Sequence, residues 1–518
     1  MLYLEIFSFV LYFVIVLAIG LFFFVKSKSN TEKDFFLGGR SMGPWVTAMS
    51  AQASDMSAWL LMGLPGSMLA FGFGKAWIGI GLAIGTALNW IFCAKRLRCF
   101  SKQANDSITL PQYLSNRFLA KGKTLQVFCA IIFLVFFTFY VASAFVAGTE
   151  VFIALFPDLN VQLALVIFSV IVILYTFLGG YKAVCWTDFF QGLLMLVALL
   201  AVPIVIVISK KAILDPVLLD NLVAVGEDTH PFVANFFNAS LTDILSGLGW
   251  GLGYFGMPHI LVRFMSIKKP SMVKKSAVVA IIWVVLSLGA TIVLAYLGRM
   301  LVVDGNAIGE KLLYAGKDQT IFIAVSRALF PGLIAGFLLA AIIAASMSTA
   351  DSQLLVASSS FTSDIYKPIV RKKADNKEVL LVGRIVVLII ALIAFLIARN
   401  ILVNNIDDSP IMSLVDMAWA GFGGSFGPVV LLSLFWKRLT YKGACFGVVA
   451  GAVVDVAWMT VHKYASVGTA LYNITALYEI IPAFIVGLVI CVVVSLIDKK
   501  PSAEVEELFD RAVAEMKE

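Results

Sequence analysis

The stretch SAQASDMSAW at residues 50–59 sets one carboxylate, Asp55, about midway through Pro44 to Phe73, where no other charge occurs. An ionisable group held in hydrocarbon is costly and marks a pathway or a binding site by default. Asp55 is followed by Gly63, Pro65 and Gly66, residues that break a helix. A second stretch, AASMSTADSQLLVASSS, puts Ala345, Ser348 and Ser352 at i, i+3 and i+7 on one helical stripe, with Thr349 beside it and Asp351 near its edge. Hydroxyls and freed carbonyls are hard oxygen ligands that suit a small hard cation. The same hydroxyls are equally able to bond their own i−4 carbonyls or a neighbouring helix. A third stretch, GLGWGLGYFGMP, carries five glycines from Gly247 to Gly256 and then Pro258. Its Trp250 and Tyr254 are four apart and so face one small cavity. Backbone unwinds at membrane depth only where protein or a wet cavity satisfies it. Close packing against a neighbour accounts for the glycines equally well, but not for Asp55.

The elements that position these residues are membrane helices. Of 518 residues, 61% are hydrophobic and 14% charged, 41 are Phe, and mean hydropathy is +0.96. That exceeds what a soluble core can hide, so the chain is expected to be a polytopic protein of the plasma or inner membrane. Runs of about 20 apolar residues, the length that crosses about 30 Å of hydrocarbon, fall near 4–25, 45–70, 76–94, 125–156, 161–180, 186–209, 238–262, 277–301, 330–362, 380–400, 411–435, 443–461 and 472–497. These thirteen spans include the first, which follows Glu5 rather than a basic segment and reads as a retained helix. Thirty of the 39 Lys and Arg fall on one side of this arrangement. Cytoplasmic loops collect positive charge, so the N-terminus is expected outside and the C-terminus inside. The net charge of +7 thus reads as topology rather than nucleic-acid binding.

No segment outside the spans is long enough for a catalytic domain. The largest lies at about 210–237, and the tail at 499–518 has the pattern of one amphipathic helix. An intramembrane aspartyl protease needs paired aspartates and a GxGD motif, which is absent. The six cysteines are scattered, with no CxxC, so neither a disulfide framework nor a zinc site is indicated. The two interrupted spans, second and seventh in order, are five apart, which is the spacing of inverted five-helix repeats with a site between them.

SAQASDMSAWLLMGLPGS, the FLGGRSMGP before it, WTD at 186–188, GWGLGYFGMPHILVRFM, AASMSTADSQLL and AWAGFGGSFGPVVLLSLFWKR resemble the sodium/solute symporter family, and within it the sodium/proline symporters. TFLGGYKAV and KRLTYKGACFGVVAGAV are similar to that family's general signatures. The resemblance implies an all-α, LeuT-like core of two inverted repeats, here 45–209 and 238–435. A peripheral helix at 4–25 would precede it, two at 443–497 would follow, and the tail would be cytoplasmic. It implies sodium-coupled uptake of L-proline by alternating access, with sodium as coupling ion, no cofactor and no enzymatic activity. Another small solute, such as a betaine-type osmolyte or pantothenate, is the alternative.

Carried over residue by residue, the resemblance implies sodium ligands at the carbonyls of Ala53, Met56 and Ala345 and the hydroxyls of Ser348 and Thr349. Asp55 would govern sodium affinity. Solute contacts would come from Ser57, Ala58, Tyr140, Trp250, Tyr254 and Pro258. Some members bind a second sodium, here at Asp188, Ser348, Asp351 and Ser352; Asp188 is equally placed to cap its helix. Two positions depart from the pattern: Ala58 stands where glycine is expected, narrowing the space beside Ser57, and Asp351 where serine is expected. Asp416 and Asp455 read as paired groups or a polar seam, and His259 as structural.

Overall fold

A computed structural model describes residues 2–26, 31–178, 180–209, 233, 235–303, 318–404 and 409–517. Most of the long connection at 210–237 therefore lies outside the described residues. Within them the chain is built from helices, ten of which are long and apolar enough to cross a membrane. The other expected spans take different forms. Val161–Leu178 is a shorter apolar helix, and the second and seventh spans are each interrupted.

The second span runs as Pro44–Asp55, leaves helical geometry at Met56, and resumes through a wider turn at Trp59–Gly63 into Leu64–Phe71. Pro44 begins it, where the missing N–H costs nothing. The seventh runs as Leu241–Gly249, tightens to a three-residue turn over Trp250–Phe255, and restarts at Pro258–Ser266. Pro258 again opens a helix, after Met257 in extended conformation. Both readings of the glycine run hold at once. A Cβ at Gly251 would come within 2.4 Å of the Gly81 carbonyl. The third and seventh spans thus touch backbone to backbone at the level where the seventh leaves α-helical form.

Several boundaries move. The third span extends over Phe73–Gln103 rather than 76–94. The last is a short helix, Ala470–Thr475, followed by Ile480–Ile497. The sixth begins at Tyr181, so Asp188 lies two turns inside it and does not cap it. Pro44–Asp55 packs against Tyr181–Ile208, Val273–Val303, Pro258–Ser266 and Gly332–Ser360, so the first break is enclosed by four helices.

The tail folds as Ala503–Glu515, with Glu504 and Glu506 in its first turn, where carboxylates favour the helix dipole. Its buried stripe, Val505, Leu508, Phe509 and Ala512, docks on the third span. Phe509 packs edge-on to Phe100 at 5.1 Å and lies under the Arg117 guanidinium at 4.9 Å.

Candidate functional site

Ending a helix frees carbonyls, and the break at Met56 decides where they go. The Met56 amide still bonds Gln52, but the Ser57 amide turns back to Asp55 O at 3.0 Å instead of reaching Ala53. The Ala53 carbonyl instead accepts the Ser348 hydroxyl at 2.8 Å, and that hydroxyl also lies 3.2 Å from Ala345 O. Three of the expected ion ligands thus converge on one point between the second and ninth spans. Thr349 is fully buried beside them, and its hydroxyl has no hydrogen-bond partner among the described residues. A buried hydroxyl without a partner is costly unless something else ligates it.

Asp55 is the last helical residue before the break at Met56. Its Oδ2 accepts the Tyr254 hydroxyl at 2.6 Å, while Oδ1 is buried without a partner among the described residues. Its main-chain carbonyl accepts Trp59 Nε1 and the Tyr140 hydroxyl, each at 3.2 Å. Tyr140 and Tyr254, expected to contact solute, are therefore anchored to the break itself. Ser57 is buried in the non-helical link, and Ala58 is buried where the chain returns to helical geometry.

Trp250 belongs to an aromatic cluster. It stacks on Trp419 at 6.1 Å and on Tyr478 at 5.3 Å, with Trp59 tilted at 6.4 Å. Trp419 Nε1 donates to the Trp250 carbonyl at 2.7 Å, and its ring meets Tyr254 edge-on at 5.1 Å. Gly253 is required here, since a Cβ would lie 2.0 Å from Trp419 Nε1. Asn89 donates to the Tyr254 carbonyl at 2.8 Å, supplying a donor where the helix is unwound. Beyond Trp250 a cavity of about 610 Å³ opens, bordered by Ser67, Lys75, Met412, Asp416, Tyr478 and Glu479.

At the opposite end of the seventh span, Arg263 is fully buried. Its Nη2 lies 3.2 Å from Asp188 Oδ2 and also bonds the Ser352 hydroxyl; Nε reaches Ser50 Oγ at 3.2 Å and Nη1 the His259 carbonyl at 2.8 Å. Ser50 in turn donates to Asp188 at 2.7 Å. Asp188 and Ser352, expected to share an ion, are thus joined through a guanidinium. Ser348 bonds elsewhere, and both Asp351 oxygens are buried without a partner among the described residues. His259 presents its ring to Phe137 and Tyr140.

Sequence reasoning missed Trp59, Asn89, Trp419, Tyr478, Ser50 and Arg263. Arg263 carried a usable signal: a cation one turn past His259 in an apolar helix needs a buried anion. Trp419 lay in plain view within AWAGFGGSFGP, but a large aromatic in a membrane helix does not by itself name its neighbour.

Residues 35–451 match the model of the sodium:solute symporter family. The sodium/proline symporters of Staphylococcus aureus strains JH9 and COL are each 43% identical to this chain over 506 residues, 96% of this chain and 93% of theirs. Among solved structures, a substrate-bound, outward-open Na+-coupled sialic acid symporter superposes with a TM-score of 0.74 at 18% identity, over 96% of this chain and 99% of that one. MHP1, a nucleobase-cation-symport-1 family transporter in a closed conformation, gives 0.54 at 15% identity, over 93% and 99%. At these identities the two structures establish the shared fold. With the family match spanning most of its length, the chain belongs to the sodium:solute symporter family.

Proposed function

We propose that this chain carries L-proline inward with one sodium ion, alternating access to a site between the broken second and seventh spans. As a family member it is a multi-pass transporter of the cell membrane, not an enzyme. In the proposed topology the chain crosses thirteen times, N-terminus outside and C-terminus inside, with residues 45–209 and 238–435 as the inverted repeats.

The observation that carries this reading is the convergence of Ala53 O, Ala345 O and the Ser348 hydroxyl beside the bonded pair of Asp55 and Tyr254. Oxygen donors from two helices meet where one helix has lost its ladder, which is the chemistry a small hard cation requires. Met56 O and Thr349 Oγ1 complete the proposed ligand set. Asp55 acts by its charge and by holding the break through Tyr254. Solute lies against Trp250 and Tyr254, its pyrrolidine ring on the aromatic faces, with Ser57 and the unwound backbone serving its carboxylate and amine. Ala58, Tyr140 and Pro258 shape that space.

Arg263 favours a single coupling sodium. Its guanidinium already gives Asp188 and Ser352 a cationic partner, so an ion at Asp188, Ser348, Asp351 and Ser352 is the weaker assignment.

One sodium moving inward down about 100 mV gains about 2.3 kcal/mol, and a tenfold concentration difference adds about 1.4. Together these sustain roughly 500-fold solute accumulation. Coupling requires that sodium favour the state that binds solute, and linkage makes the help reciprocal. Uptake of labelled proline into proteoliposomes, with and without an imposed sodium gradient and with unlabelled solutes as competitors, tests the proposal. Uptake that ignores the gradient overturns it, and uptake better blocked by a betaine than by proline reassigns the solute.

A further inference from the structure

On the lipid-facing side, where the second, sixth and eighth spans meet, lies a groove of about 710 Å³. Its wall is apolar: Trp45 and Met49 from the second span, Leu193 from the sixth, and Val278, Ile282 and Leu286 from the eighth. Trp45, Val278 and Ile282 are each more than half exposed. The polar side chains at its edge are Ser271, Lys274 and Lys275, and no acidic residue lines it. Lys275 Nζ stands 5.6 Å from the centre of the Trp45 ring. Neither lysine joins an ion pair among the described residues, although Lys33, Lys102, Lys367 and Lys437 all do. Lys268 and Lys269, just before this helix, are also exposed.

From Lys274 to Leu286 the groove climbs about 18 Å at the helical rise. That matches half of a hydrocarbon core about 30 Å thick, the depth one leaflet's acyl chain occupies. Apolar surface facing lipid needs no special partner. Two unneutralised lysines at the membrane-surface end of a leaflet-length groove, with a Trp at the same level, match an anionic head group as well as a chain.

We propose that this groove binds an anionic glycerophospholipid of the phosphatidylglycerol type. One acyl chain lies between Trp45 and Leu286, and the phosphate sits at Lys274 and Lys275 with the Ser271 hydroxyl. The site bears on the ion-coupling machinery through packed neighbours. Met49, in its floor, precedes Ser50 and lies one turn before Ala53. A Cβ at Gly192 would meet Met49 Cε at 3.1 Å and the Ala53 Cβ at 3.2 Å, so the second and sixth spans have little slack there. Trp283 Nε1 ties the eighth span to the Gly192 carbonyl at 3.2 Å, and Ser276 Oγ ties it to Pro44 O at 3.0 Å. A lipid seated across this junction braces the helix that carries the break.

The test is native mass spectrometry of the purified full-length protein, mixed with phosphatidylglycerol or phosphatidylcholine of identical chains. This readout does not depend on solute or sodium, so it stands or falls apart from the transport reading. Wild type should retain phosphatidylglycerol preferentially. Lys274→Gln/Lys275→Gln should reduce that retention about 25-fold, since each lysine near a membrane surface contributes about fivefold, and leave phosphatidylcholine unchanged. Val278→Trp, which fills the groove and keeps both lysines, should lower retention of both lipids. Equal retention of the two lipids by wild type, or undiminished phosphatidylglycerol retention in either variant, overturns the proposal.

Discussion

The Tyr254 hydroxyl donates to Asp55 Oδ2 at 2.6 Å, so a fully buried hydrogen bond ties the unwound part of the seventh span to the broken second span. The two residues are 199 positions apart. A hydrogen bond to a charged group is worth about 1.5–3 kcal/mol, or roughly 10- to 100-fold in affinity. Tyr254→Phe should therefore raise the sodium concentration for half-maximal uptake by about tenfold or more. Asp55→Asn should do so more strongly while still inserting. In a double-mutant cycle the two changes should be markedly non-additive. Purely additive effects would show that the bond does not link Asp55 to sodium affinity.

Ser348→Ala removes the hydroxyl shared by Ala53 O and Ala345 O. Sodium dependence should weaken by about tenfold or more, whereas Ser348→Thr keeps the oxygen and should retain most of it. Uptake kinetics against sodium at saturating solute measure this. Ser57→Cys should instead raise the solute KM with little change in sodium dependence.

Arg263 and Asp188 form a buried pair, and removing one partner strands the other charge. Arg263→Gln should destabilise the protein by about 3–5 kcal/mol, read as a lower melting temperature in detergent. Asp188→Asn added to that background should recover much of the loss, because no unpaired carboxylate then remains. Failure of the second change to help would show that the pair matters through its hydrogen bonds rather than its charge.

Gly253→Ala places a methyl group 2.0 Å from Trp419 Nε1 and must push the indole away from the Trp250 carbonyl. The aromatic cluster should lose its stacking and solute uptake should fall about fivefold or more, a loss on the scale of one aromatic pair, about 0.5–1.5 kcal/mol, plus the broken hydrogen bond. Surface expression should hold near wild type. Gly289→Ala, where a methyl group meets nothing within 4 Å and φ is negative, serves as a contrast and should leave uptake unchanged.

Outside the membrane, burial alone would raise the Asp106 carboxyl, but Lys33 and Arg40 outweigh it and hold it below the usual carboxylate range. A depressed folded-state value stabilises the folded protein above the unfolded value of about 4. That contribution is lost as pH falls through the folded value. Asp106→Asn should therefore lower the melting temperature at neutral pH and have progressively less effect below about pH 4. A difference that stays constant on acidification would remove the ion pair as its cause.

Much of the architecture was legible because the bilayer restricts what a chain can do. A crossing requires a run of apolar residues, and a buried charge or a Gly- and Pro-rich run within it signals an interruption. Asp55 thus located one break, although Gly63 and Pro65 lie in the resumed helix several residues past it, and the Gly247–Gly256 run with Pro258 located the other. Helix ends were less legible, since apolar and amphipathic turns join smoothly at the membrane surface, as the third span does in running on to Gln103. The aromatic cluster and the Arg263 network were illegible for a different reason. Trp419 meets Trp250 and Arg263 meets Asp188 across separations that leave no periodicity along the chain.

By itself the sequence determined that this is a polytopic membrane protein with two interrupted helices, a hydroxyl stripe and a buried carboxylate, because each is a local property of composition or spacing. Tertiary structure alone decided that Ser348 closes on the carbonyl freed at Ala53, that Tyr254 holds Asp55, and that a guanidinium stands beside Asp188. Those outcomes depend on which helices pack together. Packing is set by shape and by the pairing of buried polar groups over long range, and neither is written in any one segment.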